Sequence, residues 1–524
     1  MQYNKNQSHI IAHQKQTYMD MGSYPFLSLL LLFLSSVLFF LLSNKRKKTN
    51  CDNILSLPIP PGPFPWPIVG NIFHLDPKKP HISIAKLAES FGPLFSLKIG
   101  SRFFIIASNP TSAREIFKIH DKELSGRYIP QINRILPETK TSAIAMAGEC
   151  DERWRFLRTI AHTELFSSQA LEYGSESRLK KVNEMLDFLN SKNGELIKIK
   201  DFIFASVTNI LSRMMVSEDI VKSWNDSEEM QRIVRWIVEC GAPGLFDLYP
   251  ALSGFDFWIK KRANDFREIN KRMWGDILSE RKRMKQQKQD VECQDFLDAL
   301  IKNSWDDNEI FTFLSEFFVS MESLTTIIEW AMTELMRNQV ALIKLQDELT
   351  KAIDHKAEIV LNEECLSKLP YLQACIKETF RLHPPSPLLV PRSALQTCEV
   401  MKYRIPKNTV VVLNAYALGR DSMTWDDPLS FKPERFLNKN IDLKGTNYEL
   451  LPFGGGRRIC SGFPLALKQI QLILASLVHG FDWSLPHGND HNSLDMAEDF
   501  GITLRKKEPL LLIPKKRNNL VVAH

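Results

Sequence analysis

The chain lacks the closely spaced cysteine pairs of a metal-binding or disulfide-built protein. Its eight cysteines, at 51, 150, 240, 293, 365, 375, 398 and 460 of 524 residues, form no CxxC pair and no zinc spacing. That scatter excludes a disulfide scaffold and suits a reducing compartment. Charge of one sign is also scarce. Sixty-seven basic against 61 acidic residues leave a net charge of +6, too small an excess for a nucleic-acid binder and compatible with an acidic protein partner or anionic lipid. No Ser/Gly linker and no internal repeat divides the chain after residue 60, so its 44% hydrophobic and 10% aromatic content is read as one large domain over residues 68–524.

Ahead of that domain, residues 1–25 form a polar tail, and Phe26 to Ser43 run apolar without a charge. At helical rise such a run spans roughly 27 Å, close to the thickness of a bilayer core. Lys45, Arg46, Lys47 and Lys48 follow directly, and the positive-inside rule places that flank in the cytosol. No small-residue cleavage site precedes the basic cluster, so residues 26–43 are predicted to be a retained transmembrane signal anchor. Met19 and Met21 lie nearer the apolar run than Met1 does, and either is a candidate start. Residues 44–67 form a basic, proline-rich hinge. Pro60, Pro61, Pro63, Pro65 and Pro67 stiffen it and would hold the following domain at a set angle.

Within the domain, residues 94–97 and 103–107 read as strands separated by a turn at Gly100 and Ser101. Helical periodicity covers 178–189, 230–240, 257–285 and 308–337, and strands are predicted at 409–413 and 510–513. The pattern is mainly α with small β-sheets. The basic run Arg281, Lys282, Arg283, Lys285 and Lys288 reads as a solvated helix end.

The most informative stretch is Phe453 to Gly462, Phe-Gly-Gly-Gly-Arg-Arg-Ile-Cys-Ser-Gly. Three glycines permit positive φ and close approach to a flat ligand, and Gly462 permits a tight turn after Cys460. Arg458 offers a fixed cation two residues before the sulfur. The run from Phe463 to Leu467 opens a helix whose N-terminal dipole favours an anionic sulfur. The pattern Phe-x-x-Gly-x-Arg-x-Cys-x-Gly resembles the haem-ligand loop of the cytochrome P-450 family, the haem-thiolate monooxygenases, and agrees at every defining position. The resemblance implies a cytochrome P-450 fold behind the anchor. It also implies haem b with Cys460 as axial metal ligand and Phe453 and Arg458 in the cofactor loop. Electrons would come from NADPH through NADPH-cytochrome P-450 reductase, at the endoplasmic reticulum membrane with the catalytic domain in the cytosol.

Distant motifs agree with this resemblance. Glu378 and Arg381 share a helical face, and Pro433-Glu434-Arg435-Phe436 looks like the family segment whose arginine completes a Glu-Arg-Arg network. Those three residues are expected to be structural. Trp154 and Arg158 resemble the Trp-x-x-x-Arg element that meets the haem propionates, and Arg458 and Arg392 are the further cations expected there. The family's oxygen-activating helix carries Ala/Gly-Gly-x-Asp/Glu-Thr-Thr. Aligned on Glu329-Trp330-Ala331, the corresponding residues are Val319, Ser320, Met321, Glu322, Ser323 and Leu324. Glu322 and Ser323 are therefore the candidate acid/alcohol pair for proton delivery. Serine keeps the hydroxyl but loses the methyl that stiffens χ1, and Val319 is expected to narrow the pocket.

The wording of the chain is similar to plant microsomal members resembling N-methylcoclaurine hydroxylase and geraniol hydroxylase. A lipophilic specialised metabolite is the expected substrate, an alkaloid ahead of a terpenoid. The pocket is predicted from the loop after Arg127 and from residues 242–250, 313–319, 388–390 and the turn near Phe500. Two alternatives stand beside monooxygenation: oxidative coupling or rearrangement without net oxygen insertion, and a reductase-independent haem-thiolate isomerase, dehydratase or sensor. Dependence of turnover on NADPH and reductase separates the latter from the first.

Overall fold

The computed structural model describes residue 54 and residues 56–136, 138, 143–250, 257–287, 295–354, 363–486 and 490–517. The polar tail, the apolar run 26–43 and hinge residues 44–53 and 55 lie outside the described residues.

A twisted sheet forms one side of the domain. Strands β1 (Leu94–Ile99) and β2 (Arg102–Ala107) pair antiparallel around the predicted turn. Gly100 at its tip has φ +57°, and a Cβ there would meet the Leu248 carbonyl oxygen at 2.4 Å, so the turn needs glycine twice over. Strand β3 (Gly126–Arg127), β4 (Arg392–Ser393) and β5 (Val410–Leu413) complete the sheet in the order β1-β2-β5-β4-β3, with β2 and β5 parallel. Alternating side chains feed two cores. Phe95, Leu97, Ile106, Val410 and Val412 pack on one face, and Leu94, Ile105, Ala107, Val411 and Leu413 on the other. The pairing also sets Arg127 directly opposite Arg392.

The rest is mainly helical, as predicted. The periodic segments become helices Ser175–Ser191, Ser227–Cys240 and Phe257–Gln286. Arg281 is not solvated as expected: it is buried and pairs with Asp295 and Asp298, since an interior guanidinium needs anionic partners. Helix α1 (Glu152–Ala161) begins where the Asp151 side chain accepts the Trp154 N–H at 2.8 Å. The segment predicted as one helix over 308–337 is two, α2 (Asp307–Phe318) and α3 (Met321–Arg337). A capping box between Asp306 and Glu309 starts α2. At the break, Val319 and Ser320 both have ψ −17°, and Ser320 Oγ donates to the Phe317 carbonyl at 2.6 Å. A hydroxyl bonded back into the preceding turn competes with the regular helical ladder.

Helices α4 (Pro370–Leu382) and α5 (Phe463–Gly480) pack with α3 and with Ile199–Val216 to enclose the main core. The α2–α3 stretch and α5 are long and apolar enough to cross a membrane, yet both are mostly buried inside the domain. Both line the cavity on which the cysteine loop opens.

Candidate active site

Two of the three glycines in the loop do what the sequence requires of them. Gly454 and Gly456 have φ +71° and +61°, and a Cβ on Gly456 would lie 2.1 Å from Asp121 Oδ1. Gly462 does not adopt a left-handed turn: its φ is −83°. Its contribution is its backbone N–H, which with that of Phe463 donates to the Cys460 sulfur at the start of α5. Pro464 occupies the first turn, where a missing N–H costs nothing. The Cys460 backbone N–H is tied to Phe453 O at 3.0 Å. Its side chain opens on a cavity of about 320 Å³ and is enclosed by protein beyond it. Burial pushes the Cys460 thiol up, opposed by the two N–H groups and by Arg158. Arg158, not the expected Arg458, is thus the cation that favours the thiolate, because the Arg458 side chain turns away along the backbone.

Arg458 donates to the carbonyls of Ser125, Ile144 and Ala147. Trp154 has two guanidiniums near its ring, Arg158 5.4 Å and Arg458 5.1 Å from the centroid, and its Nε1 donates to Ile144 O at 3.1 Å. Arg392 reaches Asp121 at 2.9 Å and Gly455 O at 2.7 Å. A fourth cation was not singled out from the sequence: Arg127, whose Nε donates to Ala145 O at 3.1 Å. Burial lowers the pKa of Arg127, and Arg458 and Arg392 lower it further. Burial lowers those of Arg158, Arg392 and Arg458 as well.

All four arginines line the cavity. Among the described residues, Asp121 is the only carboxylate paired with any of them, through Arg392. Two like charges facing each other across a strand pair are destabilising, so a quartet of this kind, with Arg392 and Arg458 buried, fits an anionic ligand with more than one charge. Haem b, flat, apolar and carrying two propionates, would meet that requirement, and Cys460 is the residue that would ligate its iron. Arg127→Gln should therefore speed haem release by about tenfold or more, since a charge-assisted bond is lost. The thiolate absorption band should stay in place, and transfer of haem to an acceptor apoprotein, followed optically, measures both.

The candidate relay residues face different ways. Ser320, Ser323 and Leu324 line the cavity, and Val319 and Glu322 do not. The expected narrowing by Val319 is absent because the helical turn points it elsewhere. No hydrogen bond holds the Ser323 hydroxyl among the described residues. Glu322 is buried and bound by Arg505 at 2.9 Å, and Arg505 continues to Asp499 at 2.6 Å. The Asp499 side chain is 52% exposed, so the chain of charges reaches the surface. Phe453 lines the cavity and packs edge-on against Phe380. Leu389, Val390 and Phe317 form walls as expected. Residues 242–250 and Phe500 do not: Leu248 caps the β1–β2 turn and Phe500 stacks on His81.

The predicted Glu-Arg-Arg network is complete. Glu378 holds Arg381 through two bonds of 2.7 Å and Arg435 through one of 2.9 Å. Glu378 and Arg381 are fully buried.

A helical domain that presents one cysteine sulfur beside an arginine quartet defines a thiolate-ligated haem protein. The chain matches the cytochrome P-450 family over residues 60–513 and belongs to it. Among curated relatives, it is 42% identical over 466 residues to (S)-N-methylcoclaurine 3'-hydroxylase isozyme 1 of Papaver somniferum, covering 88% of this chain and 95% of that one. Its identity to (S)-N-methylcoclaurine 3'-hydroxylase isozyme 2 of Eschscholzia californica is 38% over 496 residues, 94% and 99% of the two chains. With corytuberine synthase of Coptis japonica it shares 39% over 489 residues, 92% and 97%. The protein is thus an enzyme of the cytochrome P-450 monooxygenase family, which carries a haem-thiolate cofactor.

Proposed function

We propose that this chain oxidises a lipophilic plant alkaloid with dioxygen, using electrons from NADPH delivered by NADPH-cytochrome P-450 reductase. The observation that carries the reading is the Cys460 sulfur, set between two backbone N–H groups on a cavity lined by four arginines. Bound there, haem would supply the activation of oxygen. Cys460 would ligate it, Arg127, Arg158, Arg392 and Arg458 would hold its carboxylates, and Trp154 and Phe453 would pack beside them. The mostly apolar remaining wall suits a lipophilic substrate, and relatives named for N-methylcoclaurine favour an alkaloid over a terpenoid. The test is turnover of an alkaloid panel by the full-length protein with reductase: product that requires both NADPH and reductase is expected, and conversion without them would overturn the reading.

In this reading the Glu322 carboxylate, held by Arg505, whose guanidinium stays protonated, exchanges protons with solvent on the Asp499 side and passes them to the Ser323 hydroxyl at the cavity. Ser323→Ala should lower product formed per NADPH consumed by about tenfold or more, and Ser323→Thr should hold or raise it.

Attachment to the endoplasmic reticulum by residues 26–43, with the domain in the cytosol, completes the proposal. It is supported by the exposed Phe64 and Trp66 at the end of the hinge and Phe73 just after it, at 77%, 56% and 76%. Exposed aromatics of this size are suited to an interfacial lipid surface.

A further inference from the structure

Glu316 is the only carboxylate among the described residues that line the cavity. It lies one turn before the break between α2 and α3. Its carboxylate oxygens accept the N–H groups of Ile144, at 2.7 Å, and Ala145. Those bonds orient the group without neutralising it. No cationic side chain pairs with Glu316 among the described residues. Arg458 alone acts on it, from beyond ion-pair distance, while its own N–H groups serve the carbonyls of Ser125, Ile144 and Ala147. The neighbouring wall of Ile144, Phe317 and Leu324 is apolar. Burial accordingly pushes the Glu316 carboxyl up to about 7, with the Ala145 and Ile144 N–H groups and Arg458 opposing. A half-buried carboxylate that lacks a counter-ion and opens on a ligand cavity is costly. As a cap for two amides, a neutral glutamine would serve one of them at lower desolvation cost.

We infer that Glu316 is a specificity-determining residue that receives a protonated amine of the substrate, so that the substrate class is a lipophilic ammonium. The inference rests on the alkaloid reading above and narrows it. The incoming ammonium supplies the missing counter-ion, donates to lone pairs left free by Ile144 and Ala145, and is drawn to the one negative group on a cavity wall otherwise lined by apolar side chains and four arginines. The carboxylate thereby fixes which end of the substrate points away from Cys460.

The test compares N-methylcoclaurine, a tertiary amine, with its N-acyl counterpart, whose amide nitrogen carries no charge. Binding to the full-length haem protein is measured by spectral titration and calorimetry at mildly alkaline pH, where carboxylate and ammonium are both charged. Wild type is expected to favour the amine by about tenfold or more, and Glu316→Gln to lose that preference while its affinity for the amide stays within about twofold. A purely structural cap would lower both affinities together, and an unchanged amine-to-amide ratio in Glu316→Gln overturns the inference. Should that variant fail to hold haem, the wild-type ratio decides: equal binding of amine and amide overturns the inference and leaves the alkaloid reading standing. Binding of the neutral terpenoid geraniol with neither alkaloid probe bound would overturn both.

Discussion

Cys460→Ser is expected to abolish the strongly red-shifted Soret band that the reduced protein shows with carbon monoxide. A serine hydroxyl is a far weaker acid than a thiol, and the Gly462 and Phe463 N–H groups and Arg158, which oppose the effect of burial on the Cys460 sulfur, do not make up that difference. The variant therefore offers iron a weak, neutral donor in place of an anionic sulfur. Haem content should fall less steeply than the band, because Arg127, Arg158, Arg392 and Arg458 all remain at the cavity. NADPH-dependent turnover should disappear with the band. A variant that keeps both would remove Cys460 from the metal and with it the functional reading.

The second large effect is expected at Glu378. Its carboxylate neutralises Arg381 and Arg435 in the interior, and it also accepts the Lys432 N–H at 2.8 Å. Arg381 spreads its other donors over the carbonyls of Gly419, Pro428 and Ser430, tying α4 to the segment before the cysteine loop. Glu378→Ala leaves a fully buried guanidinium without its anion, a loss of about 3–5 kcal/mol for a broken buried pair. The variant should accumulate as haem-poor protein with a much lower unfolding midpoint, measured by thermal denaturation followed in the Soret region and in the far-ultraviolet. Adding Arg435→Ala should cost much less than its effect alone, because members of one network are not additive. Additive losses would mean that the three residues act separately.

How legible these features were follows from the range of the interactions behind them. The cysteine loop could be read because glycine, cysteine and the helix start are neighbours in sequence, and Glu378 and Arg381 because they sit three apart on one helix. Arg127 was passed over as a cation because its place depends on strand pairing with Arg392, 265 positions away. An isolated Gly-Arg dipeptide carries no trace of that register. Glu316 differs again. It looks like any polar residue in an apolar helix until the loop at Ile144 and Ala145 is folded over it. The helical segment around Glu322 and Ser323 was legible, but not the direction of each side chain, since the break at Val319 and Ser320 resets the phase of the helix. Residues 242–250 and Phe500 were apolar enough to line a pocket and instead cover the sheet edge and His81, which composition cannot distinguish.

The indole of Trp154 has both Arg158 and Arg458 near its ring while donating to Ile144 O. In a variant that keeps Trp154 alone of the ten tryptophans, that makes this ring an internal optical gauge of assembly. Its emission then responds to two charges contributed by segments roughly 300 positions apart in the chain, so part of its change reports the region around α1 and the cysteine loop closing on each other. Haem arriving at the arginines would quench that emission by energy transfer. One side chain can then time two events in a single stopped-flow trace, the closing of the protein scaffold and the loading of its cofactor, and show which comes first.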